Sequence, residues 1–148
     1  MVKRSIKILI FLVLIMGGVF LMLDQSRDFY CLSDGKCVTV WKRVGGKCYI
    51  ITEKYYGLLK PKEYIETENL NAITLLFDSQ SNYDFILSND YGKRLEINVP
   101  NAKIKYFPSK SRDNFVNSYY VDGKIKKGVK YIQIDIGAGL VVLNGTIQ

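Results

Sequence analysis

The stretch Cys37-Val-Thr-Val-Trp-Lys-Arg-Val44, then Gly45-Gly46, then Lys47-Cys-Tyr-Ile-Ile-Thr-Glu53 decides the fold class. Two runs rich in β-branched and aromatic residues, separated by paired glycines, predict a β-hairpin with a two-residue turn. Glycine enters the left-handed backbone region that such a turn demands without steric cost. With that turn, Val38, Val40 and Val44 share a face with Tyr49 and Ile51, while Cys37 and Trp41 share the other with Cys48 and Ile50. Both faces are apolar, which places the hairpin centrally in a sheet covered on two sides.

Downstream, Tyr55-Tyr-Gly-Leu-Leu-Lys60 leads to Pro61, a residue that opens either a short helical turn through Glu66 or a loop. Ala72–Phe77 reads as a buried strand, paired across the turn Asp78–Asn82 with Tyr83–Ser88. Leu95, Ile97 and Val99 alternate with Glu96 and Asn98 as a half-exposed strand that Pro100 stops, and Ile104 and Tyr106 continue the meander. At Ser109–Tyr120 the period changes. Phe115, Val116, Tyr119 and Tyr120 fall on one helical face, with Ser111 as N-cap and Asp113 in the first turn, where a negative charge suits the helix dipole. A second hairpin closes the chain, from Val129–Ile136 through Gly137-Ala-Gly139 to Leu140–Asn144. The expected architecture is α+β and mostly antiparallel β, with about six to eight strands and one or two short helices after an N-terminal hydrophobic helix.

That helix is read from Ile8 to Leu23, a run with no charge and only Gly17 and Gly18 among Ile, Leu, Val, Phe and Met. A charge in hydrocarbon costs several kcal/mol, so a charge-free run of this kind belongs in a bilayer or a translocon. It falls slightly below the roughly 17–25 residues that span the core, and Ile6 with a snorkelling Lys7 extends it. Lys3, Arg4 and Lys7 precede the run, whereas Asp24, Arg27 and Asp28 follow it. By the positive-inside rule residues 1–7 are cytoplasmic, 8–23 cross the inner membrane once, 24–30 form a short tether, and 31–148 make a domain outside, periplasmic or extracellular. Leu21-Met22-Leu23-Asp24-Gln25-Ser26 offers no small-residue cleavage site, which favours a retained signal anchor over a cleaved signal peptide.

Cys31, Cys37 and Cys48 open the exported part. Outside the cytoplasm a disulfide persists, and the turn at Asp34-Gly35 folds Cys31 back toward Cys37. That bridge, with Cys48 a free buried thiol, is favoured over Cys37–Cys48. The spacing fits no zinc pattern, and the chain has no histidine, so metal and cofactor sites are not expected. A layout of apolar helix followed by strands is similar in outline to pilin-like subunits. The early glutamate and the glycine-ended leader of that family are missing here, and no family assignment follows.

Of the 21 Lys and Arg, three precede the hydrophobic run and none of the 14 acids does, which leaves 18 cations against 14 acids outside. This mild excess suits an anionic surface and, with export, excludes nucleic acid. Without histidine, Ser-His-Asp and Cys-His catalysis are excluded. Glu63, Glu66, Glu68, Asp84 and Asp90 lie in polar, turn-rich segments and read as solvated surface; Ser33-Asp34-Gly35-Lys36 falls in a turn and not on a helix. Asn144-Gly145-Thr146 matches a glycosylation acceptor, relevant only in a eukaryotic secretory pathway. The densest cations are Lys103, Lys105, Lys110, Arg112, Lys124, Lys126, Lys127 and Lys130, interleaved with Tyr106 and Tyr131 as a basic, aromatic candidate surface. The sequence thus points to a non-enzymatic, membrane-anchored envelope domain that binds a protein partner as an accessory or inhibitory component. An anionic lipid- or glycan-binding domain is the alternative, and an enzyme using carboxylates or lysine is disfavoured.

Overall fold

In the computed structural model the chain is described over residues 2–24, 27–68, 70–92 and 94–147, and side chains of the first helix over 6–19. Helix α1 (Val2–Asp24) leads, followed by β1 (Arg27–Cys31), β2 (Cys37–Lys42), β3 (Lys47–Ile51), β4 (Tyr64–Glu68), β5 (Ala72–Phe77), β6 (Phe85–Asn89), β7 (Glu96–Asn98) and β8 (Ile104–Phe107). A 3-10 turn at Ser109–Ser111 enters α2 (Arg112–Tyr119). Then come β9 (Tyr120–Val121), β10 (Lys124–Ile125), β11 (Lys130–Asp135), β12 (Leu140–Leu143) and β13 (Thr146–Ile147). The fold is α+β with mostly antiparallel sheets, as expected, but it has 13 strands among the described residues, where about six to eight were predicted. The excess comes largely from β1, β4 and the two-residue strands.

Two sheets stack face to face. The first has the order β1-β2-β3-β4-β7 and the second β13-β12-β11-β5-β6-β8, while β9 and β10 form a separate ribbon. Val38, Val40, Cys48, Ile50 and Ile65 of the first sheet meet Ile73, Leu75, Leu87, Ile132, Ile134 and Val141 of the second in one buried core. Each sheet has a second apolar face. On the second sheet, Leu76, Ile86 and Phe107 are covered by Phe115 of α2. On the first, Trp41, Tyr49, Ile51 and Tyr64 form a layer against which Tyr55 of the β3–β4 loop packs. Double coverage explains why β5 and β6 are buried along their whole length, since neither face alternates toward water.

The register of the opening hairpin corrects the sequence reading. Trp41 stands opposite Tyr49, and Val40 opposite Ile50. Arg43 N–H donates to the Lys47 carbonyl, so the loop is the three residues Val44-Gly45-Gly46 and not Gly45-Gly46 alone. A one-residue slip moves every side chain to the other face. Val38 and Val40 therefore share the inter-sheet core with Cys48 and Ile50, whereas Trp41 faces outward with Tyr49 and Ile51. Both glycines have positive φ, +99° and +84°, with open space where a Cβ would lie. Replacing Gly45 or Gly46 by alanine is therefore expected to cost only backbone strain, about 1–2 kcal/mol each in a chemical denaturation curve.

Other expectations are also revised. The stretch read as a tether, 24–30, is in part strand, because Arg27–Cys31 pairs along β2 from Arg27↔Trp41 to Cys31↔Cys37. The segment after Pro61 forms β4 and not a helical turn. Strand β8 does not continue a meander: it runs parallel to β6, with Phe85 opposite Ile104, after the chain has crossed to the first sheet to lay β7 beside β4. Helix α2 lies within the predicted span with Asp113 in its first turn. Ser111 occupies the N-cap position without a side-chain bond, and Val116 is exposed, so the inward stripe is the buried Phe115 with the half-buried Tyr119. The hairpins Ala72–Phe77 with Phe85–Asn89 and Lys130–Asp135 with Leu140–Leu143 form as read.

Helix α1 begins well before Ile8, at Val2. From residue 6 to 19 every side chain is exposed, including Phe11, Leu12, Leu14 and Met16. Among the described residues no helix is long and apolar enough to cross a membrane. Side chains of Lys3, Arg4 and the cleavage-site stretch 21–26 lie outside the described residues.

Candidate functional site

Cys31 and Cys37 form a disulfide, directly opposed across the β1–β2 pair with Cα atoms 4.0 Å apart. The intervening turn closes through Leu32 N–H to the Lys36 carbonyl. Cys48 is free and wholly buried, and burial pushes its thiol up to about 12. A loop of this size is restricted by its cross-link to the extent of about 2 kcal/mol. Cys37→Ser is therefore expected to lower the denaturation midpoint by that amount, whereas Cys48 is expected to resist thiol reagents until the domain unfolds.

The predicted basic surface divides into four places. Lys103, Lys105 and Tyr106 lie at edge strand β8. The Lys103 N–H donates to Asp84, and Lys105 Nζ sits 5.1 Å from the Phe107 ring and 5.8 Å from Tyr119. Lys110 is exposed in the 3-10 turn. Arg112 borders a depression of about 230 Å³ shared with Asp90, Tyr91, Gln133 and Asp135. Lys124, Lys126, Lys127, Lys130 and Tyr131 surround one cleft of about 690 Å³ beside the β9–β10 ribbon, together with Tyr120 and Asn144. Lys130 belongs to this cleft only in part, because its Nζ reaches across the sandwich to Asp34 at 3.1 Å. That bond holds the Asp34 carboxyl below its usual range. The structure thus gathers Lys124, Lys126, Lys127 and Lys130 and separates them from Lys103 and Lys105 at β8, Lys110 in the 3-10 turn and Arg112 of α2.

The sequence reading missed a denser cluster on the outer face of the first sheet. Trp41, fully buried, lies between two guanidiniums: Arg27 is 4.1 Å from the ring centroid and Arg43 5.0 Å. Tyr49 packs at 5.7 Å from Trp41 and edge-on to Tyr64. Lys60 Nζ lies 3.9 Å over the Tyr64 ring and 3.1 Å from Glu66, which also binds Lys47. Thr39 fixes the loop that covers this face, donating to the Glu53 carbonyl at 2.6 Å and accepting from Tyr55 N–H at 2.9 Å. Arg27 donates to the Gly57 carbonyl, and Phe29 stacks on Tyr56 at 4.9 Å. In sequence these residues appear at i, i+2 spacing as Arg27/Phe29, Trp41/Arg43 and Tyr64/Glu66. They become one surface only when the hairpin register is right.

Electrostatics on this face is set by Glu66, whose side chain is 12 % exposed between two lysines. Lys47 and then Lys60 hold its carboxyl below the usual carboxylate range, and both ammonium groups are raised in return, Lys60 chiefly by Tyr64 and Lys47 chiefly by Glu66. A carboxyl depressed in the folded state adds stability above its unfolded value near 4.5, and that stability is lost as pH falls through the folded value. Asp90 runs the other way, since burial raises it despite Arg112 and the hydroxyls of Thr74 and Ser88. Its contribution is present below 3.8 and is lost as pH rises through its folded value. Glu66→Gln is therefore expected to flatten the acid limb of the stability–pH curve below about pH 4.5, measured by denaturation at a series of pH values.

The acids weighed as catalytic are dispersed. Glu63 binds Asn101, Glu66 the two lysines and Asp84 the Lys103 amide, while Asp90 lies on the second sheet. Glu63, Asp84 and Asp90 border three different depressions. Among the described residues no group of three or more His, Cys, Asp or Glu is placed to hold a metal ion. Asn144 uses its side-chain oxygen to accept from the Tyr131 amide. No protein-family model, curated protein or solved structure matches this chain.

Proposed function

We propose that this chain is a single-pass membrane protein whose N-terminal helix carries the β-sandwich to the far side of the inner membrane, where it serves as a non-enzymatic accessory or interaction module. The observation that carries this reading is the charge-free run of α1 that starts at Ile8, whose side chains are exposed on every side through residue 19. A helix with no polar face has no stable arrangement in water, whereas lipid covers all sides at once. As helix the charge-free run Ile8–Leu23 extends about 24 Å, short of a hydrocarbon core of about 30 Å, and Ile6 with a snorkelling Lys7 lengthens it. The disulfide accords with an oxidising compartment. The dispersed acids and the lack of histidine support binding over catalysis.

The test is extraction of membranes containing the full chain with alkaline carbonate. The chain is expected to stay with the bilayer and to leave it only in detergent; recovery in the carbonate supernatant would contradict the reading. A second reading, recognition of anionic lipid or glycan, is favoured by Lys124, Lys126 and Lys127 around one cleft. It requires binding to cell-wall polymer or anionic vesicles that weakens as salt rises.

A further inference from the structure

The strand register defines the end of the sandwich that faces the anchor. Helix α1 stops at Asp24 and β1 starts at Arg27, a separation the chain can extend to about 10 Å at most. Arg27 stands opposite Trp41 near the end of β2, so the β2–β3 loop lies at this same end. Lys47, at the start of β3, stands opposite Glu68 at the end of β4, which brings the β4–β5 connection there as well. Ala72 opens β5 opposite Asp135, and Asp135 stands opposite Leu140, so the β11–β12 turn completes this end.

Exposed aliphatic side chains gather at this end. Val44 is 49 % exposed in the β2–β3 loop, Leu70 69 % in the β4–β5 connection and Leu140 44 % at the start of β12. The β3–β4 loop adds Leu58 and Leu59, exposed by 74 % and 80 %. This loop starts at the far end of β3 and runs back along the outer face, where Arg27 binds the Gly57 carbonyl and so ties it to the first residue of β1. Arg43 and Lys47 flank Val44 in the same region. Large aliphatic groups beside cations and the exposed aromatic pair Phe29 and Tyr56 are the composition that a lipid headgroup region accommodates.

We propose that this end of the sandwich is a second membrane contact, in which Val44, Leu58, Leu59 and Leu70 enter the boundary between headgroups and acyl chains of the bilayer that holds α1. The inference rests on the anchored reading, which brings this end within reach of lipid. The domain is then held in one orientation, with the Asp34 and Asp78 turns pointing away. Transfer of an exposed leucine into the apolar boundary favours the contact by about five- to thirty-fold, and with the anchor supplying a high local concentration a few such residues suffice.

The test uses the full chain reconstituted in phosphatidylethanolamine–phosphatidylglycerol vesicles with a small environment-sensitive fluorophore on Leu59→Cys, and separately on Ser79→Cys at the opposite end. The buried Cys48 and the disulfide leave the introduced thiol as the reactive one. The proposal expects shallow doxyl-labelled lipid to quench the Leu59→Cys label by at least about two-fold and the Ser79→Cys label little. A Leu59→Cys label as aqueous as that on Ser79→Cys, in protein that still sediments with the vesicles, overturns the second contact and leaves the anchor standing. Protein that does not sediment with vesicles overturns both. Adding Leu58→Asp and Leu70→Asp, both at exposed sites, is expected to reduce quenching and to leave the denaturation midpoint unshifted. Unchanged quenching in that variant also counts against the contact.

Discussion

Replacing Leu12 and Leu14 by lysine is expected to release the chain from the membrane. Leucine at the centre of a spanning helix favours insertion by about 0.5 kcal/mol and lysine opposes it by about 3, so each change costs about 3.5 kcal/mol. The pair shifts the partition by about five powers of ten. Both residues lie within the stretch exposed on every side, so neither change removes a contact with the sandwich core. A variant with alanine at both positions is expected to stay in the membrane pellet, because alanine introduces no charge. A double-lysine variant that sediments like the parent would show that something other than lipid covers α1.

Trp41→Ala is expected to cost about 3–5 kcal/mol, the range for truncating a large, fully buried aromatic. Trp41 is fully buried on the outer face of the first sheet, packed by Tyr49 and Tyr55 and stacked by Arg27 and Arg43. The substitution also undercuts the loop that Tyr55 anchors. Limited proteolysis within 54–60 is therefore expected to speed up in the variant, ahead of cleavage elsewhere. Were Trp41 placed with Cys48 and Ile50, as a two-residue turn would have it, the same truncation would open the inter-sheet core and leave the loop untouched. The site of first cleavage distinguishes the two arrangements.

That contrast marks where the sequence was legible and where it was not. Long apolar or alternating runs such as Ala72–Phe77, Phe85–Asn89 and Lys130–Asp135 announce themselves, because burial on one or both faces leaves its period in the side chains. The hairpin at Cys37–Glu53 was equally visible, but its register was not. Paired glycines serve a two-residue or a three-residue loop, and the choice is made by which valines and isoleucines meet the second sheet. Strands β1 and β4 were hidden for a different reason. Arg27 and Asp28 read as tether and Glu66 and Glu68 as solvated surface, yet Arg27 is stacked on Trp41 and Glu66 is held by Lys47 and Lys60, partners that no local window contains. Strand β8 pairs with β6 only after the chain has visited the other sheet, a topology for which the residues 99–107 carry no local signal.

The disulfide was readable because a turn-forming Asp34-Gly35 lies between its cysteines and the pairing is local. The basic surface was not, because linear density of lysine says nothing about facing. Lys130 shares a parity with the core residues Ile132 and Ile134 and reaches Asp34, while Lys124 lies in the β9–β10 ribbon and Lys126 and Lys127 follow it into a turn. The aromatic face built from Arg27, Trp41, Arg43, Tyr49, Tyr55 and Tyr64 draws on five segments, and only the fold assembles it.

The account depends most on where the two ends of the chain lie relative to the bilayer. The direct measurement is labelling of intact cells by a membrane-impermeant maleimide, with the full chain carrying either Ser5→Cys before the apolar run or Ser79→Cys in an exposed loop of the sandwich. Cys48 is buried and Cys31 and Cys37 are joined, so the introduced thiol dominates the signal. The account predicts that Ser79→Cys reacts in intact cells and that Ser5→Cys reacts only after lysis. Labelling of Ser5→Cys in intact cells, or protection of Ser79→Cys until lysis, would contradict it.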